Sequence, residues 1–219
     1  MEVFSTTASS IMRSAVGACL TPVIVLLLLA VVLVIVCIGS IIAELISERR
    51  HFQVFLPELL EELKIAGNES EIKRIVKNSG LLMRQKQYLN EIASHPDVTS
   101  EMRESLAAAL EYKEQKRYDN ITRITEILSR VAPMLGLLGT LIPLGPGIVA
   151  LGQGNVDVLA SSMLTAFDTT SMGLLIAAFA LVITVIRKSW YKDYMVTFDA
   201  AIELILEVEK KNNGAGEVA

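Results

Sequence analysis

Asp168 is the single ionisable residue in a stretch that is otherwise free of charge from Val158 to Ile186. Hydroxyls crowd around it: Ser161, Ser162, Thr165, Thr169, Thr170 and Ser171. A carboxylate at membrane depth costs on the order of 2.5–3.5 kcal/mol on insertion scales, and such groups ordinarily face a cavity, a partner or an ion path. The plainer alternative puts Asp168 near the outer end of its helix, or bonds it to Thr165 or Thr169. Small residues form two further patterns. Gly136, Thr140, Pro143 and Gly147 recur at i, i+4, i+7 and i+11, one face of a helix, and Ala166, Thr170, Gly173 and Ala177 repeat the device. Small faces permit close helix approach in a bilayer, where packing replaces the hydrophobic drive. From spacing alone, two readings stand: tight packing with each hydroxyl bonded back to its own helix, or a seam facing a polar partner or water.

These residues need elements to hold them, and composition says which. The chain of 219 residues is 52% hydrophobic and 20% charged, with mean hydropathy +0.49. Soluble domains average roughly 45–50% apolar and about 25% charged, so the excess is small unless it is concentrated. It is concentrated: no charge appears from Ser14 to Ala43 or from Val131 to Val156, and the Asp168 stretch is the third run. Each exceeds the ~20 residues that a membrane helix needs. The expected architecture is therefore all-α, with three transmembrane helices and a helical insertion. Residues 1–20 read as a leader or interfacial helix and 21–46 as the first span, Thr21-Pro22 opening it because proline is tolerated in a first turn. Residues 130–153 and 157–187 are the second and third spans. Pro143, Gly145, Pro146 and Gly147 predict a kink or interruption in the second.

Residues 47–129 are polar, with both charge signs interspersed and apolar residues at helical spacing: Leu56, Leu59, Leu60 and Leu63, then Ile72, Ile75 and Val76, then Met102, Leu106 and Leu110. Breaks at Gly67-Asn68 and Ser94-His95-Pro96-Asp97 divide this insertion into three or four helices, with Asp97 or Thr99 as a cap. Residues 188–219 continue the last helix. Met195, Phe198, Ala201, Ile202, Ile205 and Leu206 form a stripe that packs on the insertion or on a neighbouring subunit, and Asn212-Asn213-Gly214 ends the helix. Arg49, Arg50, Arg123, Arg130, Arg187, Lys188 and Lys192 flank the insertion and the C-terminal segment, whereas the link 153–157 has no Lys or Arg. The positive-inside bias thus gives an N-out, C-in orientation, a cytoplasmic insertion, and Trp190 and Tyr191 in an interfacial aromatic belt.

Several classes are excluded. Net charge −4 supplies no basic field for nucleic acid. Cys19 and Cys37, about 27 Å apart on one helix, form no disulfide framework. His51 and His95 lie outside the apolar runs, which removes intramembrane haem ligation and a Ser–His protease. Ser171-Met172-Gly173 has no nucleophile-elbow setting. Three spans without inverted repeats give no two-fold transporter site. The expectation is a protein that is not an enzyme and holds no cofactor or metal.

The segment Arg130-Val131-Ala132-Pro133-Met134-Leu135-Gly136-Leu137-Leu138-Gly139-Thr140 resembles the second-span signature of the MotA/TolQ/ExbB proton channel family. Ala166-Phe167-Asp168-Thr169-Thr170-Ser171-Met172-Gly173-Leu174 is similar to its third-span motif, Ala-x-x-x-Thr-x-x-Gly-Leu. The resemblance implies a homo-oligomeric ring, typically a pentamer, in the cell inner or plasma membrane. Such a ring surrounds a single-span dimeric partner resembling ExbD, TolR or MotB, which supplies the ion-carrying aspartate. It further implies that Thr140 and Thr170 line the route of the transported H⁺ or Na⁺, with Asp168, Thr165 and Thr169 beside them. Gly136, Gly139, Pro143, Gly147, Ala166, Gly173 and Ala177 then form the packing or pore face. A hydroxyl suits that role because it both donates and accepts, following a carboxylate through protonation without a charge change of its own. ExbB- and TolQ-like members carry a glutamate five residues before the motif threonine, where this chain has Thr165. Asp168 has no counterpart in those members, although an Asp-Thr-Thr version occurs in other branches. The competing function is a non-conducting membrane scaffold that recruits partners through its cytoplasmic helices.

Overall fold

In the computed structural model, residues 11–12, 14–46, 56–65, 69–94 and 100–216 are described. The expected leader at 1–10, the breaks at Gly67-Asn68 and His95-Pro96-Asp97, the Thr99 cap, Arg49, Arg50 and His51 lie outside them. The described residues are mostly helical, with no strand: α1 (Leu20–Glu44), α2 (Leu56–Ile65), α3 (Glu69–Asn78), α4 (Met83–Ala93), α5 (Ser100–Gly152) and α6 (Val156–Gly216). Three helical segments are long and apolar enough to cross a membrane: Ser14–Glu44, Glu101–Gly152 and Val156–Val208. The all-helical reading with three spans thus holds.

Two local features shape these spans. A helical run at 14–18 turns at Cys19, whose N–H donates to the Val16 carbonyl, before α1 proper begins at Leu20 with Pro22 in its first turn. Of the expected kink or interruption at Pro143–Gly147, the interruption does not occur; α5 runs through Pro133, Pro143 and Pro146 as one helix. Each proline removes a single N–H from the i→i−4 ladder, and the apolar stretch on both sides offers the backbone no other hydrogen-bond partner, so the helix persists. Helix α5 runs through residue 130, and α6 runs on past residue 187 as the C-terminal stripe implies. Charge content marks where polarity changes, not where helical hydrogen bonding stops.

The chain divides into two compact units. The first comprises residues 1–40 and 122–186. Its core joins Val23, Leu27, Ala30 and Val34 of α1 to Ala132 and Ile142 of α5 and to Ile176 and Ala180 of α6. The turn from α5 to α6 explains how the chain reverses here. Asn155 N–H donates to the Ala150 carbonyl and Gly154 N–H to that of Leu151, the paired bonds of a Schellman motif. Gly154 takes φ 81°, the left-handed value such a motif requires and glycine adopts without Cβ strain. Asn155 Oδ1 then accepts from Val158 N–H at 3.2 Å and caps α6.

The second unit comprises residues 41–121 and 187–219. Leu59 and Leu63 of α2, Ile72 and Val76 of α3, Leu89 and Ile92 of α4, and Ala107 and Leu110 of α5 enclose Phe198, Ala201, Ile202 and Ile205 of α6. The C-terminal stripe therefore packs on the chain's own insertion. A break not anticipated from sequence falls at residues 79–82 between α3 and α4, where Ser79 Oγ donates to the Val76 carbonyl and Lys86 Nζ to that of Lys77. Tyr191 is buried and stacks on Tyr118 with ring centroids 4.3 Å apart. It contributes to the interior of this unit rather than to an outward aromatic belt, because Tyr118, Tyr194 and Leu82 offer it an aromatic and apolar pocket. Helix α6 continues to Gly216, two residues past Gly214, and Gly154 is the one described glycine with positive φ.

Candidate functional site

The two glycine-bearing spans meet along a seam in the first unit. A methyl placed on Gly173 would stand 2.7 Å from the Ala132 carbonyl oxygen and 3.0 Å from Gly136 Cα. One placed on Gly139 would stand 2.6 Å from both Cβ and Oγ1 of Thr169, and one on Gly147 would meet Ser162 Cβ at 3.0 Å. Partners step down α6 as they step up α5, so the helices are antiparallel. The backbones approach this closely only because glycine leaves the space.

The centre of the seam is Gly139 against Thr169. Thr169 is buried, and its hydroxyl turns back to the Thr165 and Ala166 carbonyls at 3.0 Å each. The side chain packs against Gly139, with the hydroxyl satisfied inside its own helix. Ala166 and Gly173 are buried on the same face of α6, and Gly136, Pro143 and Gly147 on the facing side of α5, while Ala177 is half-buried.

Thr140 and Thr170 each follow a contact residue by one position. On a right-handed helix the next residue turns about 100°, and on antiparallel neighbours this turn carries both residues to the same flank of the pair. Their levels differ by about 3 Å along the axis, one residue rise on each helix. The structure thus brings Thr140 and Thr170 together on one side at one depth, both half-buried. Thr140 Oγ1 donates to the Leu137 carbonyl at 2.7 Å. Thr170 Oγ1 is shielded and has no hydrogen-bond partner within the chain, so its donor and acceptor capacity is unused.

Asp168 precedes Thr169 and turns to the opposite flank, where it is exposed. Thr165 and Ser161, one and two turns earlier, share that side, and Thr165 Oγ1 donates to the Ser161 carbonyl at 3.1 Å. The carboxylate and the Thr140–Thr170 pair are therefore separated by the seam, although the sequence grouped them. Asp168 stands twelve residues from the start of α6, about 18 Å along the axis.

Sequence reading missed a second polar contact in this unit. Thr184 Oγ1 lies 2.7 Å from Thr125 Oγ1, joining α6 to α5, and also 2.7 Å from the Ala180 carbonyl; Thr125 Oγ1 donates to the Thr122 carbonyl at 3.0 Å. Both threonines are buried. The available signal was weak: Thr184 is an isolated hydroxyl in Val182-Ile183-Thr184-Val185-Ile186. In the second unit, an open groove of about 590 Å³ is lined by Glu62, Ile65, Glu71, Arg74, Ile75 and Asn78. Among the described residues, no group of three or more His, Cys, Asp or Glu side chains is arranged to hold a metal ion.

The profile of the MotA/TolQ/ExbB proton channel family matches residues 70–200, which include both sides of the seam. The chain belongs to the MotA/TolQ/ExbB proton channel family. No curated protein matches it. Membership makes this a multi-pass membrane protein of the ion-channel motor type, a class of channel and motor subunits and not of enzymes. Members of the MotA/TolQ/ExbB family form oligomeric complexes with partners of the ExbD, TolR or MotB kind. The matched region starts in α3 and ends in α6, so it spans much of the polar unit as well as the second and third spans.

Proposed function

We propose that this chain is the ring-forming subunit of a membrane motor driven by H⁺ or Na⁺. In this reading a homo-oligomer, a pentamer by family precedent, surrounds a single-span dimeric partner resembling ExbD, TolR or MotB. Thr140 and Thr170 line the ion's route beside that partner. The insertion and C-terminal segment face the cytoplasm, and the assembly sits in the inner or plasma membrane. The observation that supports the route is the placement of the two hydroxyls on one flank at one depth, with Thr170 Oγ1 unengaged inside the chain. A partner carboxylate that gains and loses an ion needs neighbours that both donate and accept, and these side chains do so without changing charge. The driving force available is about 2.3 kcal/mol per charge per 100 mV. Asp168 and Thr165, on the other flank, are assigned to a contact between neighbouring copies, since a carboxylate at that depth needs polar cover.

The test is co-expression with a single-span partner of the ExbD, TolR or MotB kind, followed by ion uptake into proteoliposomes. Thr140→Val and Thr170→Val each reduce flux at least about tenfold, corresponding to roughly 1.4 kcal/mol at the barrier, while assembly is retained. Thr170→Ser keeps the hydroxyl and conducts. Valine variants that conduct like the wild type, or an extracted protein that is monomeric with no partner bound, would reject the reading in favour of a scaffold.

A further inference from the structure

The second unit holds one buried carboxyl group, Glu114, and one half-buried one, Asp199, for which ion conduction gives no reason. Glu114 on α5 has no exposed surface, and neither of its carboxylate oxygens accepts a hydrogen bond. Its ion partner, Arg117, stands 3.7 Å away and is partly in water. One turn earlier on α5, the Glu111 charge acts on Asp199 of α6, whose Oδ1 is shut off from solvent with no hydrogen-bond partner. Packing holds these groups in place. Tyr118 stacks on Tyr191 a few residues away, and the ring of Phe198, beside Asp199, lies 6.2 Å from that of Tyr88 on α4.

We propose that Asp199 is a proton-binding site of this unit, and that the state of its proton sets how tightly α5 and α6 pack there. With Asp199 ionised, its charge and that of Glu111 repel each other where α5 packs on α6. A proton taken from bulk water converts the Asp199 carboxylate to the neutral acid, which removes both the repulsion and the cost of holding a charge away from solvent. Burial first, then the Glu111 charge, raises this carboxyl from 3.8 to about 6. Lys113 of α5 sits over the Tyr88 ring at 5.4 Å, and Glu203, one turn further along α6, is exposed. From α4, Gln85 donates from Nε2 to the Tyr194 carbonyl at 3.0 Å. The core that α2 and α3 build with this part of α6 is apolar, through Leu59, Leu63, Ile72 and Val76.

The sign follows from linkage. Because the folded value lies above the unfolded one, the stabilising effect of the proton is complete below 3.8 and is lost as pH rises through about 6. The unit therefore tightens on mild acidification. This is independent of ion conduction and is read as stability of the purified full-length chain in detergent micelles.

The experiment measures the thermal unfolding midpoint of wild type, Asp199→Asn and Glu111→Gln between about pH 5 and pH 8. The wild-type midpoint rises by roughly 2–4 °C from about pH 7.5 to pH 5.5, Asp199→Asn shows no such rise, and Glu111→Gln moves the transition to lower pH. An Asp199→Asn profile parallel to the wild type overturns the proposal. Should Asp199→Asn fail to fold, Glu111→Gln decides, and a transition at the wild-type pH overturns it equally.

Discussion

Gly173 and Gly136 stand so close across the seam of the second and third spans that a methyl on Gly173 would fall 3.0 Å from Gly136 Cα and 2.7 Å from the Ala132 carbonyl oxygen. Both atoms belong to backbone, so neither can move aside as a flexible side chain would. Gly173→Ala forces the helices apart and is expected to cost about 1–3 kcal/mol, the usual range for overpacking. Gly145→Ala is the matched control. Nothing lies within 4 Å of its added methyl, and alanine exceeds glycine in helix propensity by about 1 kcal/mol, so that variant is neutral or more stable. Thermal unfolding in detergent distinguishes the two; equal midpoints would show that the seam is not packed as described.

The Thr125–Thr184 contact gives a smaller effect of definite form. Each hydroxyl also has a carbonyl of its own helix within reach, Thr122 for Thr125 and Ala180 for Thr184. Thr184→Val therefore loses an inter-helix bond without stranding its partner, at a cost of about 0.5–1 kcal/mol. Thr125→Val behaves similarly, and the double variant costs less than the two singles together. A double-mutant cycle by unfolding in detergent measures this; strict additivity would mean that the hydroxyls do not couple.

Much of this architecture was legible in the sequence because the bilayer imposes a coarse rule. Long apolar stretches with little or no charge must be largely helical, and Ser14–Ala43, Val131–Val156 and Val158–Ile186, interrupted only by Asp168, are such stretches. The family was legible from the glycines and threonines of the second and third spans. Helical periodicity identifies a face but not its centre line. That is why Thr169, in contact with Gly139, looked equivalent to Thr140 and Thr170 on its flank, and why Asp168 was grouped with hydroxyls on the far side of the seam. Helix ends were less legible, because nothing between Ser100 and Gly152 except three prolines in an apolar setting opposes continuation. The inward placement of Tyr191 depended on the long-range partners Tyr118 and Tyr194, which no local pattern announces.

Glu44 and Arg187 make a buried ion pair in the second unit, with 3.2 Å between Oε2 and Nε and little exposure of either side chain. Removing one member of such a pair leaves the other charge in a poorly solvated place, which commonly costs about 3–5 kcal/mol. Glu44→Ala is expected near the lower end, since Arg187 has further interactions. Glu44→Gln keeps the shape and loses less. Unfolding in detergent gives the order wild type, Glu44→Gln, Glu44→Ala from most to least stable. An alanine variant as stable as the wild type would show that the pair contributes nothing.

The opposite flanks of Asp168 and Thr170 predict a separation of phenotypes. Thr170 Oγ1 has no bond inside the chain to lose, so Thr170→Val should leave the fold intact and act on ion flux alone, by at least about tenfold. Asp168 is exposed on the other side of α6, away from the hydroxyl pair. Asp168→Asn removes its charge while keeping its shape, and should lower flux less than Thr170→Val does, with its main effect on the assembly of copies. Both quantities are measurable in one preparation, as ion uptake by proteoliposomes and as particle mass in detergent. If Asp168→Asn abolishes flux with assembly unchanged, then the carboxylate belongs to the route itself, and the seam does not divide the two functions.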